Sequence, residues 1–182
     1  MSEEDVEIVE KYIRASGAGI LFTPHLADTH PTHRAVLATT LHALHRIFLL
    51  KSQAAGNVPE ENTSEETPQV FDVYMYEGPW ALFNPLAYDT ICSPPPRCFD
   101  AKMKAVKEHV SQTGRTPYDK ATESLAILRA ALVPEQDLTG YGGQPPKLEE
   151  KVELFRHMQV KCASDVQALL HLFDQKIVPP RK

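Results

Sequence analysis

The run from Lys147 to Ile177 constrains the chain most. It holds no Gly and no Pro, and its apolar positions recur with alternating steps of four and three. Leu148, Val152, Phe155, Gln159, Cys162, Val166, Leu169 and Phe173 fall on one stripe. Such a stripe is a heptad seam, and a seam needs a partner along its length. An unbroken helix here would reach roughly 45 Å at about 1.5 Å per residue. Pro145 and Pro146 precede it, where proline is tolerated, and Pro179 and Pro180 stop it. The seam is imperfect at Gln159, and after Phe173 the stripe slips to Ile177. A long helix packed across the domain's other helices therefore suits the pattern better than a true coiled coil. Ser164 and Asp165 offer an alternative, the start of a second helix that splits the run in two.

Other segments repeat the helical signature. Ser2 with Glu3, Glu4 and Asp5 opens a helix whose face carries Val6, Val9 and Ile13, ending at Gly17 or Gly19. Ile20 to Phe22 reads as a short extended crossing of the core. A second helix starts near Thr29 to Thr32, with Pro31 in its first turn, and runs to about Ala55. Its main face holds Val36, Leu37, Leu41, Leu44, Ile47 and Phe48, and a second face holds Ala38, His42, His45 and Leu49. Two such faces place a helix centrally or turn one of them to another chain. Val70 to Tyr76 fits a strand or an aromatic helix; without a clear partner strand, the helix is expected.

Pro79 opens a helix through Trp80, Leu82, Phe83 and Leu86. Phe99, Met103, Val106 and Val110 form a stripe ended near Gly114. Thr116 and Pro117 cap a helix with Tyr118, Ala121, Leu125, Leu128 and Leu132 aligned, closed by Pro134. Between Ala55 and Val70, residues 56–69 carry Glu60, Glu61, Glu65 and Glu66 with no basic residue, which predicts a disordered acidic loop.

A net charge of −5 opposes a nucleic-acid partner, since polyanion binding normally shows a basic excess. No apolar run approaches the roughly 18 residues of a membrane span, and neither a secretory signal nor a transit peptide is visible in Met1 to Glu10. The three cysteines are odd in number, which points to a reducing, cytoplasmic setting.

Chemistry has few candidates. Five of the eight histidines, His25, His30, His33, His42 and His45, fall within 21 residues. On a helix from Thr32, His42 and His45 are neighbours, whereas His33 lies roughly 180° from His42. Asp28 is the nearest carboxylate, and no His-Glu-x-x-His pattern appears. Cys92 and Cys98 are separated by five residues, outside zinc-ligand spacing. No phosphate-binding glycine loop is present.

The expectation is an all-α chain, a single helical domain over residues 1–182, built as an irregular bundle of about five to seven helices with long proline-bearing loops. Its expected function is non-enzymatic: a protein-interaction subunit or adaptor of a cytoplasmic multiprotein assembly, with no catalytic residue, metal or cofactor. His42, His45, Leu49, Leu169 and Phe173 are the expected partner-binding residues, and oligomerisation through the C-terminal helix is open. The alternative is a histidine- or metal-dependent enzyme using the His25–His45 region.

Overall fold

The computed structural model describes residues 2–55, 70–78, 82–83, 88–133 and 148–175. Along them run α1 (Glu3–Ser16), β1 (Ile20–Pro24), α2 (Pro31–Ala55), β2 (Phe71–Tyr76), β3 (Thr90–Cys92), α3 (Pro96–Glu108), α4 (Val110–Thr113), α5 (Tyr118–Leu132), β4 (Glu153–Val160) and α6 (Ala163–Gln175). The strands make a four-stranded mixed sheet in the order β1-β2-β4-β3. The all-α helical bundle expected from the sequence is therefore corrected to an α/β fold. The chain falls into two compact units, residues 1–88 with 156–182, and residues 89–155.

In the first unit, β1 and β2 are parallel, with Leu21 opposite Val73 and Thr23 opposite Met75. A parallel pair cannot be joined by a tight turn, and α2 lies within the crossover between them. Phe71, Val73 and Met75 are buried and alternate with the half-buried Asp72 and Tyr74. That period of two is the strand signature, and the helix expected at Val70 to Tyr76 is corrected accordingly. The missing partner strand was present all along in Ile20 to Phe22.

The C-terminal run is corrected as well. Its first half holds β4, where Met158 and Val160 pack on the core, while Gln159 of β4 and Cys162 just after it, both in the supposed seam, are exposed. Only the second half is helical. Asp165 accepts bonds from the Lys161 N–H at 2.8 Å and the Cys162 N–H at 3.2 Å, which close the first turn of α6. These bonds, that from Lys161 foremost, hold the Asp165 carboxyl below its ordinary range. Val166 and Leu169 then enter the core beside Leu37, Leu41, Leu44 and Ile47 of α2.

The termini of α1 follow the sequence closely. Ser2 and Asp5 form a reciprocal capping box, and Gly17 ends the helix at φ 62°, a left-handed conformation that glycine adopts without strain. Arg46 of α2 ties α1 down through Glu3, Glu7 at 3.8 Å and Glu10 at 3.1 Å.

The second unit buries Phe99, Ala126, Val152 and Leu154. The Val152 N–H donates to the Ala126 carbonyl at 3.1 Å, and Lys151 Nζ lies 4.7 Å from the centre of the Phe99 ring. The expected stripe from Phe99 breaks at His109, and α4 restarts at Val110. A Cβ at Gly114 would meet the Val110 carbonyl oxygen at 2.9 Å, so this turn requires glycine. Thr116 makes no side-chain cap on α5, which starts at Tyr118. The acidic loop expected at residues 56–69, and the helix expected after Pro79 apart from Leu82 and Phe83, lie outside the described residues.

Candidate functional site

Two constellations in the first unit merit chemical reading. The first forms where β1 ends and α2 begins. Asp28 is 2% exposed, and its carboxylate accepts a hydrogen bond from the His30 N–H at 2.8 Å and pairs with His33 Nδ1 at 2.8 Å. Arg34 Nη1 reaches the Asp28 carbonyl at 3.4 Å. The His30 and His33 rings lie 4.8 Å apart, and His25 meets Phe83 edge-on at 4.7 Å.

The chain leaving β2 closes the far side. Burial, and secondarily the charge of Asp28, push the Tyr76 phenol above its ordinary pKa. A Cβ built on Gly78 would sit 3.8 Å from Asp28 Oδ2. The carboxyl ends of parallel strands are where open α/β sheets usually place ligands. The same bonds also hold the β1–α2 connection together. Replacing Asp28 by Ala strands two part-buried groups that its carboxylate now satisfies and should cost about 1–3 kcal/mol, while Asn, which keeps an acceptor for the His30 N–H, should cost less. Urea melting of the two variants checks this. Equal stability in both would show that the carboxylate does not organise the turn.

The second constellation lies on the sheet face opposite the core. Phe22 of β1 stacks on Tyr74 of β2 with ring centroids 5.5 Å apart, and Tyr74 stacks on His157 of β4 at 4.7 Å. Phe22 is 63% exposed. His157 Nε2 pairs with Asp72 at 2.7 Å, which fixes the outer ring of the strip.

The residues singled out from the sequence are distributed otherwise. His42 and His45 are half-buried and line a groove of about 260 Å³ between α1 and α2 with Ser2, Glu3, Val6 and Arg46. They stand apart from the Asp28 pair, as the helical spacing of His33 and His42 requires. Leu49 is exposed. Leu169 is a core residue, and Phe173 is partly buried beneath the Arg34 guanidinium, 4.2 Å from its ring centre. Among the described residues, no group of three or more His, Cys, Asp or Glu side chains is placed to hold a metal ion. None of the described helices is long and apolar enough to cross a membrane.

Sequence reasoning reached the histidines and Asp28 but not the ring strip. Its signal is the period-two alternation in 70–76 and 154–160, which places Tyr74 and His157 on the face away from the core. Comparison with protein-family models, curated proteins and solved structures finds no match.

Proposed function

We propose that the protein is a non-enzymatic subunit or adaptor that binds other proteins in a cytoplasmic assembly, with the ring-bearing sheet face of its first unit as the contact surface. The observation that supports this reading is the stacked strip of Phe22, Tyr74 and His157, with its outermost ring largely exposed. Aromatic side chains supply large contact area, and stacking orders them before a partner arrives, so little rotational freedom remains to be lost. Asp72 beside the strip and the net charge of −5 favour a protein over a polyanion. Cys92, Cys98 and Cys162 are exposed free thiols, which suits a reducing compartment.

Affinity purification from cells, run in parallel on wild type and variants, tests the assignment. Phe22→Ala with Tyr74→Ala should lose proteins that wild type and the His42→Gln/His45→Gln variant both recover. Equal recovery by the ring variant contradicts it.

A histidine-dependent enzyme is the second reading, favoured by the buried Asp28 set 2.8 Å from His33 at the ends of parallel strands. There the carboxylate would orient the imidazole, and His33 would serve as the general base. Ester hydrolysis lost in His33→Gln, at unchanged melting temperature, would favour it.

A further inference from the structure

Helix α5 is rotated relative to its own apolar stripe, so that Tyr118 and Leu125 are half-buried while the rest of the stripe faces outward. Its apolar stripe predicts that Leu128 and Leu132 are buried, yet they are 50% and 56% exposed, while Arg129 is buried at 7%. Ile127, Ala121, Ser124 and Ala131 are exposed as well. Residues 121, 124, 128 and 131–132 recur at helical spacing and form one ridge. At about 1.5 Å per residue, the ridge is roughly 16 Å long. Leu128 and Leu132, with the exposed Ile127 beside them, make an apolar strip along one side of α5, the kind of surface that a partner covers.

We infer that the α5 ridge is a self-association surface, and that its occupant is the α5 of a second copy of this chain running antiparallel. The ridge is self-complementary in shape. Its N-terminal half is small, Ala121 and Ser124, and its C-terminal half carries the large residues, Leu128 and Leu132, beside the small Ala131. A two-fold axis between residues 126 and 127 sets each Leu132 against Ala121 of the second copy and each Leu128 beside its Ser124. Large side chains then meet small ones at both ends, as an isologous pair requires. Charge is complementary in the same arrangement. Lys120 is an exposed cation at the N-terminal end of the ridge, and antiparallel pairing brings it to the negative pole of the other helix. Parallel pairing would instead set leucine against leucine and bring the two lysines together. A ridge of one helix is a small contact, so the dimer forms reversibly with concentration.

Sedimentation equilibrium of the full chain from about 1 µM to about 1 mM tests this, because a reversible dimer responds to concentration. The wild-type mass should rise from 20.4 kDa towards twice that value, and Leu128→Glu should stay at 20.4 kDa throughout. Melting of the dilute Leu128→Glu protein should match wild type, since the position is exposed in the monomer. Three results would overturn the inference. A wild type that stays monomeric leaves the ridge to some other protein. A dimer that persists in Leu128→Glu is built elsewhere. A fall of several degrees in the melting temperature of Leu128→Glu means that the ridge packs within its own chain.

Discussion

Phe71→Ala should destabilise the first unit by about 3–5 kcal/mol, the usual range for a fully buried phenylalanine reduced to a methyl group. Phe71 is entirely inaccessible and meets Phe48 of α2 edge-on, with ring centroids 5.8 Å apart. It therefore joins the first residue of β2 to the principal helix of the core. Truncation forfeits the transfer energy of the ring and leaves a cavity that α2, anchored along the same face by Leu37, Leu41 and Leu44, cannot close. At roughly 2–4 °C per kcal/mol for a chain of this length, the melting temperature should fall by about 10 °C. A change below 1 kcal/mol would mean that β2 does not line the core.

Leu169→Ala should cost about 2–5 kcal/mol, and Phe173→Ala should cost distinctly less. The heptad pattern gives these two residues equal weight, and the structure separates them. Leu169 is 1% exposed among the α2 leucines, whereas Phe173 lies at the margin of the core with Arg34 over its ring. Its truncation removes partial burial and a cation–π contact worth about 0.5–1 kcal/mol at such a site. Denaturant melts of the two variants give the comparison directly. Equal losses would place both side chains inside a helical seam and argue against the packing described for α6.

The parts of the fold that were legible in the sequence are those written in local chemistry. The Ser2–Asp5 cap, Gly17 and Pro31 mark α1 and α2 because capping and proline geometry depend on nearby residues alone. The sheet was not legible because its evidence is non-local. Ile20 to Phe22 and Val70 to Tyr76 are each too short to assign alone, and their parallel pairing spans all of α2. In 152–160, Val152 and Phe155 imitate a heptad while Leu154, Met158 and Val160 carry the true alternation, interrupted by Arg156. The absence of Gly and Pro suits a helix, but a strand has equal reason to exclude them.

The candidate sites divide along the same line. Asp28, His30 and His33 are close in sequence, so their association was accessible, but the role of Asp28 depends on a turn that no pattern announces. Phe22, Tyr74 and His157 come together only when three strands do. In α5 the apolar stripe is plain in the sequence, but Leu128 and Leu132 face outward, because spacing identifies a face without saying what covers it.

Nuclear magnetic resonance of residues 153–160 and of the Tyr74 and His157 rings tests the central claim most directly, since the ring-bearing face exists only if β4 is a strand beside β2. The account predicts extended-chain carbon shifts throughout 153–160, ring-to-ring contacts between Tyr74 and His157 at their 4.7 Å separation, and upfield-shifted His157 protons. Helical shifts across 153–160 without any Tyr74–His157 contact would contradict it.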